Sequence, residues 1–204
     1  MAKLDITKTN DAITRLLEVT TNPRHRYLLT TYYRHRYLEI AGRYAEIFTP
    51  EMTVDEPVYH FRTAAHNATL RGTEAVKGFY RDWAETHQSI FASDDEQVCV
   101  SDNYILSVAT LSQQVYGKAL VAHGIPVDDA DAHYVYTTVI QMIWPYDDRC
   151  RMIGEDVYEP EPANGKLVKL APADVMTTQE SGRILAPYIK PLPPFDPKVH
   201  GRRH

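Results

Sequence analysis

Two adjacent carboxylates, Asp55 and Glu56, interrupt the stretch TVDEPVYH at residues 53–60, where every other residue is β-branched, aromatic or proline; His60 follows Glu56 by four positions. That composition suits a half-buried strand, in which side chains alternate between faces. Val54, Glu56, Val58 and His60 then share one face, and Asp55, Tyr59 and Phe61 the other. If the valine face lines an apolar pocket, Glu56 is a buried acid. Its charged form is disfavoured, and its pKa rises toward the range where it can take and return a proton near neutrality, with His60 as a shuttle. Two plainer readings stand beside these: Glu56 as an ion-pair partner of Arg62 or Arg71 at the pocket rim, and His60 as a hydrogen-bonded structural histidine.

Other chemistries have less support. The histidines are scattered, the two cysteines Cys99 and Cys150 are isolated, and neither a Gly-rich phosphate loop nor a GxSxG elbow is present, so the expectation is no metal and no cofactor. Both cysteines read as small core hydrophobes in a reducing, cytoplasmic setting. The net charge of −5 argues against nucleic acid as a partner. RHRY occurs twice, at residues 24–27 and 34–37, and is read as the solvated basic face of a helix in preference to an RNA-stacking segment. No apolar run approaches a membrane span, and residues 1–14 carry no secretory pattern.

The elements that must position these residues follow from period and punctuation. Asn22-Pro23 starts a long helix whose apolar residues run through Phe48 until Pro50 stops it. Residues 53–61 form the acid-bearing strand. Residues 73–87 form a second core helix with an apolar face of Ala75, Val76, Phe79, Tyr80 and Trp83. The period then changes to two, with strands at 96–100, 104–117, 133–144 and 149–159. On the third of these, Tyr134, Tyr136, Thr138, Ile140, Met142 and Trp144 share a face suited to a flat apolar ligand. Residues 118–132 are too long for a hairpin turn and read as a lid or partner contact. The expected organisation is one α+β domain, 1–159, followed by a proline-rich C-terminal arm, 160–204.

In order along the chain, Ile47-Phe48, MTVDEPVYH, GTEAVKGFY and the run of long strands resemble the ketosteroid isomerase and SnoaL-like branch of the nuclear-transport-factor-2-like superfamily. The resemblance implies a cone: a curved mixed or antiparallel sheet wrapped around a long helix, enclosing one deep apolar pocket. It places the family's proton-abstracting acid on Glu56, its oxyanion-donating tyrosine on Tyr32 with Tyr37 as second choice, a further tyrosine on Tyr80, and a pocket-lining carboxylate on Glu155. Trp83, Tyr136, Thr138 and Trp144 complete the expected substrate-binding set. The family's second oxyanion acid has no match, since the corresponding region offers Thr138, Ile140 and Met142. What the resemblance implies is therefore a cofactor-independent homodimeric lyase acting on an apolar aromatic or polycyclic hydroxylated small molecule in aromatic compound catabolism. The reaction would be dehydration or a retro-aldol-like loss of formaldehyde, as in the lignin-derived diarylpropane lyases. An isomerase, polyketide cyclase, epoxide hydrolase or non-catalytic binding module is the alternative.

Overall fold

The computed structural model describes residues 3–202. A short helix, α1 (Asp11–Val19), precedes the long helix α2 (Pro23–Ile40). Asn22 caps α2, its side-chain oxygen accepting from the backbone N–H groups of Arg24 and His25, and Pro23 occupies the first turn, where its missing N–H costs nothing. The helix ends eight residues before the expected boundary: Gly42, at φ +69, turns the chain back through the left-handed region, and residues 44–47 form a single 3₁₀ turn.

Strand β1 (Thr53–Arg62) follows, then β2 (Asn67–Arg71), α3 (Thr73–Glu85), β3 (Phe91–Val100), β4 (Tyr104–Tyr116), α4 (Gly117–Ala122), β5 (His133–Pro145), β6 (Met152–Tyr158), β7 (Lys166–Lys169), α5 (Thr178–Leu185) and α6 (Pro197–His200). The strand order is β2-β1-β6-β5-β4-β3. Only β1 and β6 run parallel, so the sheet is mixed. At Gly154 the two parallel backbones approach so closely that a side-chain carbon would meet the Val58 carbonyl oxygen. The strand β2 lies between the expected acid-bearing strand and the second core helix, where no element was expected, and β3 begins five residues earlier than expected.

The concave face of the sheet packs on α2 and α3, with Tyr32, Tyr59, Phe61, Tyr80, Trp83, Ile140 and Trp144 among the buried core. The segment after residue 160 lies against this body. Beside β5, β6 pairs with residues 141–143 and β7 with residues 134–137, so β7 fills the edge that β6 leaves. The Ser181 hydroxyl of α5 donates to the Ile40 carbonyl at 2.6 Å, and Arg24 ties α6 in through the His200 carbonyl.

Helix α2 corrects one expectation in part. The RHRY repeats are solvated only on one side: Arg26 is exposed and His25 and Arg34 are half-buried, whereas Arg24, His35 and Arg36 are each at most 2 % exposed. The Arg24 guanidinium donates to the backbone carbonyls of Asp102, Asp147, Asp148 and His200, joining both turns at one end of the sheet to the helix start. Arg36 donates through Nη1 to both oxygens of Glu96 (2.9 and 2.8 Å) and through Nη2 to Ser93, while Tyr32 and Phe91 lie under the guanidinium. Glu96 reaches inward from an irregularity in β3 between Asp94 and Gln97, where Asp95 has φ +53. Cys150 is buried as expected, but Cys99 is exposed.

Breaking a buried ion pair leaves an uncompensated charge. Glu96→Gln should therefore destabilise the fold by about 3–5 kcal/mol in urea unfolding, whereas Arg36→Met with Glu96→Leu should recover most of that loss. A single variant as stable as wild type would show that the pair contributes nothing.

Candidate functional site

Inside the cone, between α2, α3 and the concave sheet, lies a cavity that opens to solvent. Phe61, Trp83, Phe91, Leu111, Ile140, Met142, Trp144 and Val157 make it largely apolar. Three charged-type side chains reach its wall: Arg36 and Glu39 from α2, and Glu155 from β6. All three are buried.

Arg36 is already neutralised by Glu96, so Glu39 and Glu155 are left in the wall without a cation of their own. Burial pushes the Glu39 carboxyl up to about 8, with Arg36 pulling the other way. Its place one residue from the end of α2, where the helix dipole is negative, acts in the same direction as burial. Glu155 is held well above the ordinary carboxylate range by burial first and by Glu39 second. Near neutral pH the pair therefore retains protons.

A short polar chain joins the two acids. His35 Nε2 lies 3.7 Å from Glu39 and 3.2 Å from the Tyr80 hydroxyl, and that hydroxyl lies 3.5 Å from Glu155 Oε2. Burial depresses the His35 pKa to about 3, so the imidazole is neutral and its approach to Glu39 is not an ion pair. The links at 3.5 and 3.7 Å are long for hydrogen bonds, and the geometry is that of a loosely connected chain of neutral groups.

Of the residues expected from the sequence, Trp83, Tyr136, Thr138, Trp144 and Glu155 line this cavity. Tyr80 stands behind it, in contact with Glu155. Glu56 does not reach it. On β1 the buried positions are Thr53, Pro57, Tyr59 and Phe61, and Glu56 is exposed on the convex face with its carboxylate over Gly72. The physical reason is the aromatic pair: Phe61 packs on Phe79 with rings 4.8 Å apart and Tyr59 packs edge-on against Tyr80, burying more apolar area than Val54 and Val58 could. His60 turns outward with Glu56 and meets Asp156 at 2.5 Å. Tyr32 is fully buried, with its hydroxyl 3.2 Å from Ser107 and 3.4 Å from Glu96, and contacts Trp144 rather than forming cavity wall. Tyr37 points away, donating to the Thr7 carbonyl at 2.6 Å.

Sequence reasoning missed His35, Arg36 and Glu39, all within RHRYLE. The available signal was the helix's lack of a clean polar face: Leu28, Leu29, Tyr32, Tyr37, Leu38 and Ile40 spread apolar side chains round most of it, as suits a buried helix. Glu96 and Glu159 were missed too. Glu159 is buried and accepts from Tyr136 and Thr138, each at 2.6 Å, and from the Ala64 backbone N–H. Among the described residues no cluster of three or more His, Cys, Asp or Glu side chains is arranged to hold a metal, and no helix is long and apolar enough to cross a membrane.

The sequence matches no protein-family model and no curated protein. Among solved structures, the chain is similar to a protein assigned as a SnoaL-like polyketide cyclase from a Jannaschia species. The two are 14% identical, covering 71% of this chain and 92% of that one, with a TM-score of 0.52. Further similar structures are one assigned as a SnoaL-like polyketide cyclase from Shewanella putrefaciens (12% identity, 78% and 91% covered, TM-score 0.47) and a steroid delta-isomerase from Pseudomonas aeruginosa (14% identity, 83% and 98%, TM-score 0.43). The first likeness shows a shared fold, the mixed curved sheet around a long helix that the motifs led one to expect.

The raised Glu39 pKa has a consequence for stability. Folded protein keeps a proton that the unfolded chain releases above its ordinary pKa of 4.5. The contribution is complete below that value and is lost as pH rises through about 8. Glu155 acts with the same sign, whereas His35 and His66, both depressed to about 3, act oppositely below pH 6.5. Compared with Glu39→Gln, wild type should therefore lose on the order of a few kcal/mol of unfolding free energy between pH 5 and 8. Parallel stability curves for the two proteins would rule out a raised Glu39 pKa.

Proposed function

We propose that the protein is an acid–base enzyme in which Glu39 takes a proton from an apolar, oxygen-bearing small molecule. In this reading protonated Glu155 donates a hydrogen bond to the oxygen on which negative charge develops. The observation that carries it is the pair of buried carboxyls in one largely apolar wall whose guanidinium, Arg36, is held by Glu96. A carboxyl kept neutral by an apolar site is a strong donor to an oxyanion, and one poised near 8 is a competent base at neutral pH. Tyr80, bridging toward Glu155, and neutral His35 provide a route for returning the proton.

Such a pair suits the formation and reprotonation of an enol or enolate, so an isomerase or cyclase acting on a carbonyl compound is the first reading. The lyase expected from the sequence remains the second. Its support is the aromatic cavity wall, and there the protonated carboxyl would hand its proton to a departing hydroxyl. A non-catalytic binding module has no use for two such buried acids.

The test is a turnover screen over unsaturated cyclic ketones and hydroxylated aromatics, followed by chromatography and mass spectrometry. Unchanged mass with a new retention time reports isomerisation or cyclisation, and loss of water or formaldehyde reports the lyase. Glu39→Gln and Glu155→Gln should each lower kcat by about 10²–10⁴-fold. Glu56→Gln should retain turnover; its inactivity, with Glu39→Gln active, would return the base to β1.

We further propose that two copies pair through the convex face of the sheet. Leu106 and Ile143 are cross-strand neighbours there, and Val108, Val139 and Tyr158 extend a contiguous exposed apolar patch. Leu106→Lys with Ile143→Lys should convert a dimer into a 23.3 kDa monomer in light scattering; a monomeric wild type would refute the pairing.

A further inference from the structure

The cavity has two ends. Glu155 and Trp144 lie at one, since β6 pairs with β5 in a register that sets them side by side. Four residues farther along, roughly 13 Å of extended chain, Glu159 marks the other end, among Ala64, Tyr136 and Thr138. At this second end the polar side chains in the wall are nearly all engaged by protein. Tyr136 and Thr138 donate to Glu159, Gln113 donates to the Gln88 carbonyl at 2.9 Å, and the Thr63 hydroxyl lies 3.2 Å from the His66 carbonyl.

His66 is the exception. The residue belongs to the cavity wall and is 7 % exposed, and its Nε2 is buried with no hydrogen-bond partner. The position is built rather than accidental. The turn between β1 and β2 is closed by the Thr63 N–H donating to the His66 carbonyl at 2.9 Å and the His66 N–H donating to the Thr63 hydroxyl at 2.9 Å. The imidazole packs 4.8 Å from Trp83 and edge-on to Phe79, and His123 at the end of α4 covers it with ring centroids 5.5 Å apart. An orphaned polar atom in such a setting is costly unless a ligand or water answers it. A neutral imidazole both donates and accepts, so the group that answers it best is a hydroxyl, with a carbonyl as the other match.

Resting on the reading of this cavity as the active site, we propose that His66 is a specificity-determining residue that binds a second oxygen of the substrate, the first being held at Glu155. The substrate class is then an elongated, neutral, apolar molecule oxygenated at both ends. A carboxylate at the His66 end is disfavoured, because Glu159 is buried beside it without a cation.

The experiment uses two rod-shaped probes, 4-phenylphenol and 4,4′-dihydroxybiphenyl, which differ by one terminal hydroxyl, and reads quenching of the cavity tryptophans. Wild type should bind the diol about five- to tenfold more tightly, the effect of one hydrogen bond. His66→Phe keeps the aromatic packing and should erase the preference while leaving 4-phenylphenol affinity within about twofold. His66→Gln, which restores a donor and an acceptor, should recover part of it. Equal affinity for the two probes in wild type, a preference that survives His66→Phe, or failure of either probe to bind would overturn the inference. Binding and turnover fail separately: a His66-dependent preference without any turnover removes the catalytic reading alone, and Glu39-dependent turnover without the preference removes this inference alone.

Discussion

The fold depends on how helix α2 disposes of its charges. It lies inside the sheet with twelve of its eighteen residues buried, yet four of those twelve are Arg24, His35, Arg36 and Glu39. A charge taken out of water must be matched or lost. Arg24 is matched by four backbone carbonyls, which fixes the turns and the C-terminal helix around the start of α2. Arg36 is matched by Glu96, which requires the irregularity in β3 that turns Glu96 inward. His35 gives up its charge and remains neutral.

Glu39 has no such settlement. The one nearby guanidinium is held by both oxygens of Glu96, so what remains for Glu39 is to bind a proton, and the same holds for Glu155 across the cavity. The chemistry of the site is thus a residue of the packing problem. Two acids are left poised because the available cation was committed elsewhere. Their mutual repulsion raises the cost of ionising both at once, the property on which the proposed division into one acid and one base rests.

Much of the architecture was legible in the sequence because it rests on short-range rules. Asn22-Pro23 announces the helix start, and the strict alternation from Tyr134 to Trp144 gives the buried face of β5 residue by residue. The site was less legible because strand faces are decided by competition. Alternation correctly grouped Glu56 with Val54, Val58 and His60, but which group turns inward depended on Tyr59 and Phe61 finding Tyr80 and Phe79 on α3, a long-range fact. The basic repeat misled for the opposite reason: a charge run is ordinarily solvated, and nothing local in RHRY discloses Glu96 sixty residues away. Glu155 was expected through the family resemblance; on β6 it is buried together with Val157, while Ile153, two residues before it, is exposed.

Placing the base on α2 rather than on β1, as proposed, changes what the cone can do. A base on a strand is fixed by its ladder, whereas Glu39 stands at the end of a helix whose dipole opposes its ionisation and whose neighbour His35 leads toward Tyr80 and Glu155. The two acids are therefore connected through groups that are themselves neutral, in a wall where the remaining polar atoms are nearly all occupied. In the proposed reaction Glu39 starts as the carboxylate, so the cavity carries one negative charge throughout: the charge passes from Glu39 to the substrate oxygen as the proton moves, and protonated Glu155 stabilises it there by donating a hydrogen bond.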